Sequence, residues 1–165
     1  MDGFEAIKCS SNIPIELIGK RISNERVVVI ERRHKDIGLK DLGGDEISDR
    51  LFLSSWLICG NEYLLLEDTH NHSSIIRDVL AFPPHSKIYP EFSGICQINN
   101  QEIPESVVGV LDDGAEHKAY SVKDKIFLDV KFAWKIDEIN VKFVKIATVG
   151  LRCPKEDIIT ADGGH

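Results

Sequence analysis

Alternation of apolar and polar residues is the strongest pattern in this chain, and it is clearest over residues 126–136. Successive side chains of a strand point to opposite faces, so the alternation predicts one long strand with one apolar and one mostly polar face. Residues 137–140 are expected to form a turn. Residues 141–148 are rich in β-branched side chains and are expected to return as a partner strand, with a bulge at Phe143 and Val144.

A second hairpin is predicted where two apolar segments, residues 51–59 and 62–67, flank Gly60 and Asn61. Both turn residues tolerate a positive φ. Each segment is apolar on both faces, which predicts central strands that are covered on each side. Further strands are predicted over residues 26–32, 75–82, 93–98 and 107–111. Turn signals lie at Pro83 and Pro84, Asn99 and Asn100, Pro104, and residues 112–114.

Helical signals are weak. Asn12 is expected to cap a short helix that has Pro14 in its first turn and is stopped by Gly19, and residues 45–50 are expected to form one helical turn. We therefore predict a mainly β fold (or α+β with little helix): a single domain, residues 1–165, built as an antiparallel β-sandwich or open barrel of about seven to eight strands with one or two short helices. Trp56 and Trp134 are expected in its core, although either could line a ligand cleft.

Composition narrows the classes of partner. The chain has 165 residues, 42% hydrophobic and 28% charged, as soluble globular proteins do, and its net charge is −7. That charge argues against nucleic acid or an anionic membrane surface, and it allows a basic protein partner, although a modest negative charge more often serves solubility alone. No apolar run is long enough to span a bilayer, and residues 1–5 show no signal-peptide pattern. The oligomeric state is not indicated.

Four isolated cysteines, Cys9, Cys59, Cys96 and Cys153, lie at least 37 residues apart along the chain. Without a CxxC pair, a zinc ribbon, an iron–sulfur site and a thioredoxin-type motif are unsupported. The pairing Cys9–Cys153 and Cys59–Cys96 is predicted, because chain termini are often close together. Such disulfides would place the protein in the periplasm or outside the cell, whereas four buried thiols would fit the cytoplasm.

The best metal candidate is the group Asp68, His70 and His72. Residues two apart on a strand share a face, and zinc accepts histidine and carboxylate ligands. The competing interpretation is an ordinary turn after a strand, where short polar residues bond their own backbone. Residues 71–73 also match the acceptor pattern for N-glycosylation, which has meaning only in a secretory context.

Asp112, Asp113, Glu116 and His117 form an acidic loop that is predicted to bind the basic partner. Acid–base chemistry and a plain solvated turn are the alternatives. The short basic run at residues 32–35 is flanked by acids, so it is interpreted as the charged end of an edge strand and not as a nucleic-acid patch.

No nucleophile elbow, P-loop, dinucleotide fingerprint or HExxH motif occurs, no cofactor is predicted, and the sequence leans away from an enzyme. The function predicted first is an extracytoplasmic, periplasmic protein-binding module, such as an inhibitor or immunity protein that blocks a toxin or hydrolase. The alternatives are a small-ligand carrier with an apolar β-barrel pocket, and a metal-assisted hydrolase that uses His70 and His72.

Overall fold

A computed structural model describes residues 2–70, 73–84, 92–93, 96–111, 120–122 and 125–154. The backbone packs as two compact units. The first unit comprises Met1–Pro83 with Glu138–Phe143, and the second comprises Pro84–Asp137 with Val144–His165. The single-domain assignment stays a prediction. Among the described helices, none has the length and apolar character needed to cross a bilayer.

The first unit holds a five-stranded antiparallel sheet. Its strands are β1 (Arg21–Ile22), β2 (Lys40–Glu46), β3 (Leu51–Ile58), β4 (Asn61–His70) and β5 (Ser73–Ala81), in the order β1-β5-β4-β3-β2. β3 and β4 lie inside the sheet, and runs of consecutive residues on both are buried, as predicted. Such burial on both faces is why their sequences are apolar without alternation.

The turn between β3 and β4 lies one residue earlier than predicted. Ile58 pairs with Asn61, so the two loop residues are Cys59 and Gly60, with φ values of 54° and 83°. Two consecutive residues with positive φ match the twist of a tight hairpin, for which glycine is well suited. A cysteine therefore occupies a backbone position that asparagine or glycine usually fills.

Two short helices precede β2. Helix α1 (Ile13–Leu17) is confirmed, with Asn12 Oδ1 accepting a hydrogen bond from the Ile15 amide at 3.3 Å. The strand predicted over residues 26–32 is wrong, because Val27–Arg33 forms helix α2. The charged edge-strand end predicted at residues 32–35 is consequently wrong as well, since these residues close α2 and enter a 3₁₀ turn, Lys35–Ile37.

The helical turn predicted over residues 45–50 is also wrong. Asp45 and Glu46 pair with Leu53 and Phe52, so they belong to strand β2, and a bend joins them to β3. Pairing along the sheet here overrides the weak local preference for a helix.

The second unit is built around one long strand. Its strands are β6 (Phe92–Ser93), β7 (Gln97–Ile98), β8 (Gln101–Glu102), β9 (Val107–Leu111), β10 (Tyr120–Val122), β11 (Lys125–Asp137), the second half of β12 (Lys142–Lys145) and β13 (Leu151–Pro154). The order is β6-β9-β11-β13-β7-β8, and β10 and β12 also pair with β11. The strands predicted over residues 126–136 and 107–111 and the turn at Asn99 and Asn100 are confirmed, whereas the predicted strand 93–98 is divided between β6 and β7.

The mainly β, antiparallel fold with two short α-helices is confirmed. Eight of the strands in the described residues have four or more residues. Trp56 is a core residue, as predicted: it is almost fully buried, with its ring 5.0 Å from that of Phe4. Trp134 is only half-buried.

Both disulfides are present, but the predicted pairing is wrong. Cys9 bonds to Cys59, and Cys96 bonds to Cys153. The two cysteines of each bridge belong to the same unit. Proximity of the chain termini, on which the prediction depended, is therefore not what selects the partners.

Candidate functional site

A shallow groove of about 400 Å³ runs beside α2 in the first unit. Val28 and Leu39 contribute its apolar surface, and charged side chains border it. Its lining residues are Val28, Glu31, Arg32, Lys35, Gly38, Leu39 and Lys40. We call this surface the α2 groove.

Three consecutive valines make α2 unusual. Val27, Val28 and Val29 are each 38–39% exposed, whereas the next residue, Ile30, is fully buried and holds the helix to the core. β-Branched side chains lose rotamer freedom in a helix, and their exposed part gains nothing from burial. Part of each valine side chain is therefore exposed apolar surface, and we call Val27, Val28 and Val29 the valine row.

The charges that border the α2 groove are mostly basic. Arg32, Lys35 and Lys40 are exposed, and the one acid, Glu31, accepts a hydrogen bond from the Asp41 amide at 2.9 Å. This bond ties α2 to the edge strand β2 and occupies one Glu31 oxygen. The groove can thus offer an apolar floor and a cationic rim to another molecule.

A second, larger cleft of about 600 Å³ lies at the end of the sheet near β1, β4 and β5. We call it the arginine cleft. Its lining residues are Arg21, Arg50, Asp68, His70, Ser73 and Ile75. The register explains the grouping: Ile75 pairs with both Arg21 and Asp68, and Ser73 pairs with His70, so side chains from three strands reach one face of the sheet.

Asp68 is engaged by two guanidinium groups. Arg50 contacts its carboxylate at 2.6 and 3.3 Å, and Arg77 contacts the same Oδ2 atom at 3.1 Å. The hydrogen bond from Arg50 is the largest cause that lowers the pKa of Asp68 below its ordinary value. Asp68 is therefore an ionised anchor for two arginines.

The metal site predicted from Asp68, His70 and His72 meets a different environment. His70 lies at the end of β4 in the arginine cleft, and His72 lies outside the described residues. In the described part of the chain, no group of three histidine, cysteine or carboxylate side chains is placed to hold a metal ion. The metal site stays a prediction, while the two arginines at Asp68 would repel a cation.

The acidic loop predicted to bind a partner also lies outside the described residues. This applies to Asp112, Asp113, Glu116 and His117. Their role stays a prediction.

A buried carboxylate lies in the core of the first unit. Both oxygens of Glu67 accept hydrogen bonds, one from Ser54 Oγ and one from Ser74 Oγ at 2.6 Å. Ser54 Oγ in turn accepts from Trp56 Nε1 at 3.1 Å. Burial is the largest influence and raises the pKa of Glu67, although the two serine hydrogen bonds oppose it.

Replacing Glu67 by Gln is expected to stabilise the protein near neutral pH by about 1 kcal/mol. Because the pKa of the Glu67 carboxyl is raised, the contribution of Glu67 to stability is greatest below the unfolded pKa and is lost as the pH rises through the folded pKa. Because Gln stays neutral, the advantage of E67Q should grow from about pH 4 upward in urea unfolding experiments. E62Q, which changes a half-buried glutamate of the same strand, should give a smaller effect. A constant difference at all pH values would contradict the prediction.

Sequence reasoning missed the α2 groove and the arginines of the second cleft. Arg21, Arg50 and Arg77 are separated by more than 25 residues along the chain, so no local motif marks them. The exposed valines were missed because a run of β-branched residues favours a strand. Comparisons of this chain with known protein families, with curated proteins and with solved structures found no match.

Proposed function

We propose that this protein is an extracytoplasmic protein-binding module, of the inhibitor or immunity-protein kind, and that the α2 groove is its contact surface. The observation that carries the proposal is the row Val27–Val28–Val29, exposed beside a groove with a cationic rim. Two disulfides support a location in an oxidising compartment.

The α2 groove places apolar side chains next to charged ones, which resembles the arrangement of core and rim in a protein interface. Interfaces place a few apolar anchors at the centre and charged side chains at the rim, and the central anchors carry most of the affinity. Val28 belongs to both the valine row and the groove, so we place it at the centre of the contact. Arg32, Lys35 and Lys40 would meet acidic side chains at the rim of the partner's surface.

The partner as a whole is proposed to be basic. A net charge of −7 attracts a basic protein over a distance of about one Debye length, before contact is made. Asp112, Asp113 and Glu116 would contribute to that attraction. Association that slows as salt is added would support a basic partner, and salt-independent association would contradict it.

The test compares two exposed valines. Proteins retained from the native host by wild-type protein are identified by mass spectrometry, and their affinities are then measured with V28S and with V149S. Val149 is 89% exposed and lies in the second unit, so V149S is the matched control. V28S should weaken binding roughly tenfold, the effect of losing about 1.4 kcal/mol, while V149S should leave it unchanged.

Equal affinities for V28S and wild-type protein would refute the α2 groove as the contact surface. The compartment is tested separately. Protein isolated from its source without reductant should take up no alkylating reagent, because all four cysteines are bridged. Four alkylated thiols would contradict an oxidising location.

A further inference from the structure

We propose that the arginine cleft binds a dianionic oxyanion, namely a phosphate group. The inference is independent of the α2 groove, because the two surfaces share no lining residue. It depends on the charge of the cleft, on how its arginines are held, and on the hydrogen-bond donors that remain free of protein partners.

The charge of the cleft is positive in a protein that is negative overall. Two arginines, Arg21 and Arg50, line the cleft, and a third, Arg77, contacts Asp68, which is the one acid among the lining residues. One carboxylate neutralises one of the three, so about two positive charges remain. Guanidinium groups gathered in this way repel one another, which costs stability unless an anion is bound between them. A ligand of charge −2 would balance the cleft.

Each arginine is held in place by a specific contact. Arg21 Nη1 donates to Ser73 Oγ at 2.7 Å. The backbone carbonyl of Arg50 accepts from both the amide and the hydroxyl of Thr69, at 2.7 and 2.8 Å. These bonds fix the loop that carries Arg50 against β4. The ion pair with Asp68 restricts the Arg50 guanidinium in addition, so fewer conformations are lost when a ligand binds, which reduces the entropy cost of binding.

Arg77 reaches Asp68 through a β-bulge. Leu66 pairs with Asp78 and Glu67 pairs with Ile76, so Arg77 is the unpaired residue of β5. A bulge redirects the side chain of the extra residue, and here it directs Arg77 onto the Asp68 Oδ2 atom that Arg50 also contacts. The two guanidinium groups thus converge within 3.1 Å of one oxygen atom.

Enough donors remain for a tetrahedral oxyanion. Each guanidinium has five N–H groups, and the side chains of Arg50 and Arg77 are 65% and 44% exposed, so several of these groups face the solvent. Phosphate accepts such paired donors with favourable geometry. Asp68 acts in this arrangement as a positioning residue and not as a ligand.

The test is a titration with sodium phosphate at pH 7.5 and constant ionic strength, followed by calorimetry and by the Nε–Hε signals of the arginines in NMR spectra. We expect saturable one-to-one binding that shifts the signals of Arg21, Arg50 and Arg77. The double variant R50A/R77A should bind about tenfold more weakly or not at all. R50K/R77K keeps the charge but loses the fork geometry, and it should also bind more weakly than wild type.

R26A is the matched control, because it removes an exposed arginine for which the structure shows neither a place in the cleft lining nor an ion pair with Asp68. It should bind phosphate as the wild type does. Glycerol phosphate should bind at least as tightly as phosphate, whereas the monoanion acetate should bind much more weakly. The proposal is overturned if phosphate gives no saturable signal at concentrations on the order of 10 mM, or if R26A weakens binding as much as R50A/R77A.

Discussion

Removing the Cys9–Cys59 disulfide is expected to lower the free energy of unfolding by about 4 kcal/mol. The bridge closes a loop with a sequence separation of 50, and the loop-entropy model assigns an effect of this size to such a loop. Cys9 is exposed and Cys59 is half-buried, so their replacement leaves little cavity. The double variant C9A/C59N suits the site because asparagine accepts the positive φ of position 59.

Chemical denaturation under non-reducing conditions measures this difference. For a chain of this size, it corresponds to a fall in Tm of roughly 8–16 °C. Variant C96A/C153A is the comparison: its loop is of similar length, but both cysteines are buried, so a cavity adds to the lost constraint and a larger effect is expected. A smaller loss of stability for C96A/C153A than for C9A/C59N would contradict the prediction that burial of the cysteines increases the loss.

The double variant C9A/C59N also tests which cysteines are paired. If Cys9 bonds to Cys59, then C9A/C59N retains one intact bridge and takes up no alkylating reagent. The alternative pairing, Cys9–Cys153 with Cys59–Cys96, would leave two free thiols in this variant. Two alkylated cysteines would therefore contradict the structure.

Strand β11 and the β3–β4 hairpin were predictable because their signals are local. Alternation over residues 126–136 and two apolar segments around a tight turn each specify a strand without information from elsewhere in the chain. The β-bulge in β11 was not predictable. The register of β11 against β9 shifts between Val130 and Phe132, and beyond this shift Ala133 belongs to the core while Trp134 is half-buried.

Helix α2 was predicted to be a strand because one residue of its buried face, His34, is polar and interrupts the helical spacing of apolar residues. Ile30, His34 and Ile37 are all buried and follow the spacing of one helix face over α2 and the 3₁₀ turn. The ring of buried His34 donates a hydrogen bond to Asp2, which is far away in sequence. The sequence does not reveal this contact, so the run of valines dominates the pattern and favours a strand.

The candidate sites were predictable only in part. Asp68 and His70 were expected on one face of a strand, and both line the arginine cleft. The chemistry of that cleft was missed because Arg21, Arg50 and Arg77 come from β1, from the loop before β3 and from a bulge in β5. Their convergence depends on sheet order, which residue spacing does not specify.

Asp2 is the second site at which a large loss of stability is expected. Its side chain is fully buried and accepts hydrogen bonds from Arg33 Nη1 at 2.6 Å, from the His34 ring at 2.9 Å and from the Phe4 amide at 3.0 Å. Replacing Asp2 by Ala leaves His34 buried without its partner. Breaking a buried charged pair from one side typically costs 3–5 kcal/mol, and because Arg33 is partly exposed, we expect about 3 kcal/mol for D2A.

The pH dependence of the stability of D2N separates the contribution of the Asp2 charge from that of its side-chain packing. Burial raises the pKa of Asp2, but the hydrogen bonds from His34 and Arg33 outweigh it and hold the pKa below its ordinary value. The stability that this charge contributes is therefore present above the unfolded pKa and is lost as the pH falls through the folded pKa. D2N should thus be less stable than wild type at pH 7, with a difference that narrows below about pH 4.

E25A removes the exposed partner of the same Arg33 and should change stability little at either pH. A loss for E25A as large as that for D2A would place the effect in Arg33 and its surface contacts, and not in the buried carboxylate.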